Sequence, residues 1–398
     1  MSTERKHILI LGAGFGGLEA ANILRKNFPS SSAAAAHRIT IIDKKDYFMM
    51  GLVNLWILSG IRTLQDSKIS LNLLENKGIK FLNDEIKTID VASKTVTIRS
   101  SNLELEYDYL VIALGAELVL EEVNGLLENG GFNLYDADQV PKLREKILSL
   151  RKGRIAICIT SIPYKCPPAP YEASLLINDI LVKNGSRDTI DIEVYSPTPI
   201  ALPVAGAKVS QGVVNLLNQN NINFHPLHKI KTVLTNGKIE FENGNRVNYD
   251  LLIGIPPHKV PGVIRNSGLI IQGQNWINVD KFTLKTDYDN VFAIGDVTEI
   301  KVNENMAIPK AGIFAEAQAK VVSQQIINDI ENNSNELSSR FDGKGFCFME
   351  TGDKKAGYVV ADFYNEKGPT AVLEPASEDS YKKKIDFERS KINEWLFL

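Results

Sequence analysis

Short apolar runs punctuate the chain from its start: HILIL (His7 to Leu11) leads into the glycine-rich turn GAGFGG, then LEAANILRKNF with helical spacing, then a second apolar run, RITIID. Runs this short and this uniformly apolar suit strands covered on both faces, and the order strand, turn, helix, strand predicts a βαβ unit of a parallel sheet. The small-residue stretch SSSAAAAH before the second strand reads as a lengthened surface loop. From Ile79 to Tyr107 the residues alternate and carry turn signals, as in a small β-meander, and lead into the buried strand of YDYLVIALGA.

The same order then recurs. RIAICI, the helical stretch YEASLLINDILVKN, IDIEVYS, the helical stretch KVSQGVVNLLNQN and a second meander ending in YDLLIGIPP repeat the plan of the first 120 residues. The strand NVFAIGD and the helical IPKAGIFAEAQAKVVSQQIINDI return to the first unit, and polar NNSNELSSR marks a linker to a last segment. The expected architecture is α/β with two Rossmann-like dinucleotide-binding domains. Residues 1–120 and 278–332 form a discontinuous first domain, 121–277 a second, and 333–398 a C-terminal interface or membrane-facing segment.

Composition narrows the function. A net charge of -3 with interleaved acids and bases lacks the basic stripe that nucleic acid requires. The first apolar run is too short for a signal-peptide core and no run approaches a membrane span, so the expected location is the cytoplasm or the cytoplasmic face of a membrane. Three cysteines, Cys158, Cys166 and Cys347, are too few for a disulfide framework and lack metal-site spacing. Five scattered histidines give no metal site either.

Gly12-Ala13-Gly14-Phe15-Gly16-Gly17 sits between a strand and a helix. One glycine permits the tight turn, one lets a pyrophosphate approach the backbone, and one lets helix and strand pack closely, with the phosphates at the helix N-terminus. Asp43 ends the second strand, where a carboxylate can bind ribose hydroxyls and repel a 2'-phosphate. Lys44 beside it and Gly115 after the strand of YDYLVIALGA complete the first cofactor-binding set. NVFAIGD resembles the second FAD motif of the flavoprotein disulfide reductases, which implies FAD as cofactor, with Gly295 in the turn and Asp296 on its ribitol chain.

A second nucleotide site would need a glycine turn after RIAICI, but Thr160 to Pro170 holds four prolines and no glycine. A cysteine stands there instead, which argues against a nicotinamide donor. At this point the chain resembles the sulfide:quinone oxidoreductases and the flavoprotein subunit of flavocytochrome c sulfide dehydrogenase, through KCPPAPYEASLL, LPVAG, LLIGIPPHKVP, FAIGDVTEI, IPKAGIFAEAQA and GKGFCFMETGDKKAGY. That resemblance implies that Cys166 and Cys347 meet beside the flavin in a disulfide or sulfur bridge, that sulfide attacks the bridge, and that the flavin passes electrons to quinone. It also implies that Lys310, in PKAG, approaches the flavin ring.

The chain departs from those relatives twice. It lacks the third active-site cysteine many quinone reductases carry, here Gly131 to Tyr135, and DYFMMGLVNLWILSG lacks the cysteine that anchors flavin covalently in the cytochrome-linked ones. FAD is therefore expected without a covalent bond, and long sulfur chains are not. Glu172 is a candidate proton acceptor close after Cys166, Cys158 within an apolar strand reads as structural, and His258 reads as a loop residue.

Phe346 and Phe348 flank Cys347 and are candidates to wall a flavin or quinone ring. The final stretch SEDSYKKKIDFERSKINEWLFL is helical in composition, with Tyr381, Ile385, Ile392 and Trp395 on one face. It suits docking on the protein's own core, pairing with a second subunit in a homodimer, or peripheral contact with a membrane through Trp395 to Leu398 and Lys382, Lys383 and Lys384. Two other functions share the architecture: a type II NADH:quinone dehydrogenase, and an FAD-binding redox scaffold without sulfide turnover.

Overall fold

The computed structural model describes residues 5–29, 37–304, 306–333 and 339–397. Most of the SSSAAAAH loop and of the NNSNELSSR linker therefore lies outside the described residues.

Strand β1 (His7–Leu11) is wholly buried and feeds helix α1 (Phe15–Asn27), followed by β2 (Arg38–Asp43), α2 (Val53–Ser59), β3 (Lys80–Asn83) and β4 (Tyr109–Ile112). A three-stranded antiparallel meander, Ile86 to Glu106, connects β3 to β4. The second unit repeats this: β5 (Phe132–Asn133), α3 (Val140–Ser149), β6 (Gly153–Ile159), α4 (Ala169–Lys183), β7 (Ile190–Tyr195), α5 (Gly206–Gln219), β8 (Ile222–His225), another three-stranded meander, and β9 (Leu251–Ile255). The chain then returns with β10 (Val291–Ala293), which pairs in parallel with β4, and α6 (Gly312–Ile330), which lies against α1.

Both five-stranded sheets are parallel, ordered β10-β4-β1-β2-β3 and β5-β9-β6-β7-β8. The orders correspond strand for strand except at one edge: β10, beside β4, comes late in the chain, whereas its counterpart β5, beside β9, opens the second unit. That exchange makes the first unit discontinuous in sequence. The strands are apolar runs because both faces are covered: in the second sheet α4 packs on one face, and on the other the antiparallel meander brings Ile230, Val233, Ile239 and Phe241 onto Ala156, Cys158, Tyr195 and Leu252. The glycine turn leaves the C-terminal end of β1 and the Cys166 loop that of β6, where parallel α/β sheets carry their ligands.

The last segment adds an antiparallel sheet, β11 (Lys344–Gly352), β12 (Lys355–Asp362) and β13 (Thr370–Ser377), and helix α7 (Glu378–Ile392). Its apolar face is spent inside the molecule. Tyr381, Trp395 and Leu396 are buried, and so is Lys384, whereas Lys382, Lys383 and Phe397 are exposed. Of the residues expected to face a bilayer, Trp395, Leu396 and Lys384 instead dock on the protein's own core; Leu398 lies outside the described residues. No described helix is long and apolar enough to cross a membrane.

Candidate active site

The glycine turn is shaped by what its neighbours leave free. A Cβ on Gly17 would lie 1.8 Å from the Gly12 carbonyl oxygen, so only glycine lets α1 pack this closely on the turn. A Cβ on Gly14 would meet nothing within 4 Å, which is the open side a pyrophosphate needs. Gly14 caps α1 without a side-chain bond and no acid occupies the first turn, so that end is electrostatically positive. Two contrasting outcomes follow. Gly17→Ala should lower the thermal unfolding midpoint of the FAD-free protein, whereas Gly14→Ala should leave that midpoint unchanged and weaken FAD binding at least about tenfold, read by FAD titration.

Asp43 sits at the end of β2 as expected, and it also braces the turn: its carboxylate accepts from Ala13 N at 2.7 Å and Lys45 N at 2.9 Å. Lys44 is exposed, and Gly115 adopts φ +68° with open space around it. Gly295 (φ +73°) donates its N–H to Gln318 Oε1 at 2.6 Å, and half-buried Asp296 lines a cleft with Thr298, Ile308 and Lys310. Burial raises the Asp296 carboxyl, opposed by Lys310 and Lys165. The open turn, the positive helix end and the second acid across the sheet fit the two ends of an FAD.

The corresponding place after β6 is closed to phosphate. Pro168 caps α4 and Pro170 follows, neither with an N–H, and Ala169, Tyr171 and Glu172 donate theirs to Cys166 O and Pro168 O at 2.9 to 3.1 Å. The Ile162–Pro163 peptide is cis. Cys166 adopts φ +51°, a left-handed conformation that few residues other than glycine take, and one that marks a site held by its surroundings.

Three contacts hold it. Cys166 N donates to Lys310 O at 2.7 Å, Tyr135 Oη donates to Lys165 O at 2.8 Å, and Lys165 N donates to His258 Nε2 at 3.3 Å. His258 is thus no loop bystander: it lies in a short strand pair with Leu118, its Nδ1 meets Pro256 O at 2.8 Å, and burial keeps it neutral with a pKa of about 3. Tyr135 occupies the stretch where the third cysteine was sought.

Cys166 and Cys347 are free thiols near enough to feel each other's charge, and no disulfide joins them. Burial pushes both thiols up, Cys347 to about 12, and the negative charge of Glu172 adds to the rise in both. Cys158 is wholly buried within β6. Phe346 and Phe348 lie on the opposite face of β11 from Cys347 and pack on Tyr358 and on Phe387 of α7. They therefore do not flank the thiol. With Phe15, stacked 6.4 Å from Phe387, they form a half-buried aromatic cluster beside the glycine turn.

Glu172 is not a free carboxylate. It pairs with the ammonium of Lys384, which also donates to Glu350 Oε2 at 2.8 Å, and Trp56 Nε1 reaches the same oxygen at 3.0 Å. All three charged side chains are buried, two acids to one base, and they tie α4, β11 and α7 together with α2. Burial raises the Glu172 carboxyl, opposed by Lys384.

Lys310 lies just before α6 rather than in it. Its Nζ donates to Asp296 O at 2.7 Å and Thr298 O at 3.0 Å and sits 3.3 Å from the centroid of Trp276. It is buried, which brings its pKa down to about 8, so a solvated role is ruled out and its cation is held by carbonyls and an indole face. Lys384, Glu350, Trp276 and Tyr135 carried no local signal: Lys384 looks like part of a basic run, Glu350 and Trp276 like ordinary strand and loop residues, and only tertiary contact shows what they do.

The pyridine nucleotide-disulphide oxidoreductase family matches residues 6–158 and 181–321. The chain is 30% identical over 370 residues to the mitochondrial sulfide:quinone oxidoreductase of Dictyostelium discoideum, covering 89% of this chain and 77% of that protein. The solved structure of the sulfide:quinone oxidoreductase of Aquifex aeolicus superposes with a TM-score of 0.84 at 26% identity, over 97% of this chain and 90% of that one. A type II NADH:quinone oxidoreductase of Staphylococcus haemolyticus is 22% identical over 82% of this chain and 83% of its own. The chain belongs to the pyridine nucleotide-disulphide oxidoreductase family, on the branch of the sulfide:quinone oxidoreductases.

Proposed function

We propose that this protein is an FAD-dependent enzyme that oxidises sulfide at Cys166 and Cys347 and delivers the electrons to quinone. The observation that carries this reading is the loop after β6, where a phosphate cradle is replaced by a strained, half-buried cysteine facing the field of a second one.

The two free thiols are the reduced state; closing them into a bridge releases two electrons and two protons. A hydrosulfide ion attacks one sulfur of that bridge, the S–S bond breaks, the attacked cysteine becomes a persulfide and the other leaves as a thiolate. FAD held in the site described above would supply the acceptor for that thiolate's electron pair and the route from it to quinone. The protein raises both thiols by burial and by the Glu172 charge, so a leaving thiolate here is high in free energy. As its electron pair is withdrawn, its sulfur bonds to the outer sulfur of the persulfide, which gives up its proton, and the two cysteines are left joined through the added sulfur. Glu172, itself raised by burial, lies where a thiol proton is released, and Lys384 holds it there. The turn of Gly12, Gly14, Phe15, Gly16 and Gly17 with Asp43 would hold the adenosine end of FAD, and Gly295 and Asp296 the ribitol. Lys310 fixes the backbone of Asp296 and of Cys166 relative to each other.

The half-buried rings of Phe15, Phe346, Phe348 and Phe387 offer a planar acceptor an aromatic wall, and exposed Phe397, Lys382 and Lys383 suit contact with an anionic membrane that holds the quinone. The closed N-terminus of α4 disfavours NADH as donor. Mixed anaerobically with sulfide, the FAD-loaded protein should lose its visible flavin band, and mixed with NADH it should keep it. Bleaching by NADH alone would overturn the reading, and bleaching by neither would favour the redox scaffold.

A further inference from the structure

The end of α7 and the turn after it reach back to the glycine turn through contacts that the sulfide chemistry does not use. Trp395 is completely buried, its indole 5.2 Å from the ring of Phe15 and 5.6 Å from that of Phe48, measured between centroids. Its Nε1 donates to Glu19 Oε2 at 2.6 Å, and its carbonyl accepts from Asn22 at 3.1 Å. Lys391 Nζ lies 2.8 Å from Glu316 Oε1, 2.8 Å from Glu394 and 3.8 Å from Glu19 Oε2.

The placement of the two acids matters. Glu19 is near the start of α1, and Glu316 near the start of α6, whose preceding residues line the Asp296 cleft. Both are buried, and Glu316 Oε2 has no hydrogen-bond partner among the described residues. Left uncompensated, they would oppose an anionic pyrophosphate at the positive end of α1. The tail adds compensation to both acids: Lys391 joins exposed Lys320 at Glu316 Oε1, and Trp395 donates an N–H to Glu19 Oε2, while Glu316 Oε2 keeps no hydrogen bond among the described residues.

We propose that residues 391–396 form a latch that sets how tightly FAD is held, with Trp395 bracing Phe15 at the head of α1 and Lys391 neutralising the acids behind the phosphate site. Both act as positioning residues. Phe48 follows the second strand, in the segment that lacks an anchoring cysteine, and it packs on Trp395, so the latch also touches that segment. The inference rests on the FAD site above and goes beyond it by coupling that site to a separate segment. Coupling is reciprocal, so bound FAD must seat the latch by the same factor by which the latch tightens FAD.

The test uses the full chain stripped of FAD, with FAD titrated back and followed by quenching of its fluorescence. Lys391→Met and Trp395→Ala should each bind FAD at least about tenfold more weakly than the wild type, the loss of a charge-assisted contact, with Trp395→Phe in between because it keeps the ring and loses the donor. Amide hydrogens of residues 391–396 should exchange more slowly in the FAD-loaded wild type than in the stripped protein. Folded variants with wild-type FAD affinity would overturn the latch, and so would exchange in that segment unaffected by FAD. Should Trp395→Ala fail to fold, Lys391→Met alone decides. Failure of the wild type to bind FAD would instead refute the cofactor assignment.

Discussion

Cys166→Ser is expected to retain FAD and to lose sulfide-dependent bleaching of the flavin by about a thousandfold or more, the scale seen when a nucleophilic centre is removed. Serine matches the size of cysteine, and the backbone bond from residue 166 to Lys310 O does not depend on the side chain. The loop should therefore keep its shape while the sulfur–sulfur bond becomes impossible. Cys347→Ser should behave alike, since a bridge needs both partners. Cys158→Ala is the control: it lies in the core of β6, away from the loop, and should cost stability without abolishing bleaching. Stopped-flow absorbance under anaerobic conditions reads all three. A Cys166→Ser protein that bleaches at the wild-type rate would remove the two-cysteine mechanism and leave direct attack of sulfide on the flavin.

The largest effect on stability is expected from Lys384→Met. The ammonium is the single base between Glu172 and Glu350 in a buried trio, and removing one partner of such a group costs about 3–5 kcal/mol because the remaining charges stay uncompensated. Its pH dependence has a definite sign. Burial raises the Glu172 carboxyl above its unfolded value, so the folded state binds the extra proton, and stability is highest at low pH and falls as pH rises through the folded pKa. With Lys384 gone the opposing pull is lost and the rise grows. The variant should then be much weaker than the wild type at about pH 8 and closer to it at about pH 5. Adding Glu172→Gln should restore part of the loss at the higher pH. Equal unfolding midpoints for Lys384→Met and the wild type at both pH values would show that the trio does not hold α7 to α4 and β11.

Much of the architecture was legible because parallel sheets write themselves into the chain locally. Uniform apolar runs such as HILIL and LLIGI are strands covered on both faces, and the glycine turn is a local steric requirement, as the clash of a Gly17 Cβ with Gly12 O shows. The loss of the second phosphate cradle was equally readable, because proline removes an N–H wherever it stands. The side chains around the cysteines were harder. Lys310 was expected to approach the flavin ring, and only the tertiary structure shows that its ammonium is held by two backbone carbonyls and Trp276 beside the Asp296 cleft. Phe346 and Phe348 were expected to wall a flavin or quinone ring beside Cys347; strand alternation turns them away from the thiol toward α7, which only the tertiary structure shows.

What the sequence determined by itself is therefore the set of features with short-range causes: the doubled α/β plan, the open glycine turn, the closed proline turn, and the two cysteines set after a strand and within a strand. Tertiary structure decided which partners meet. It buried Lys384 between Glu172 and Glu350, seated Trp395 on Phe15, and brought Tyr135, His258 and Lys310 around the Cys166 loop. These contacts join residues up to hundreds of positions apart. A buried charge or a hydrogen bond takes its value from the group that desolvates or faces it, and no window of neighbouring residues contains that group.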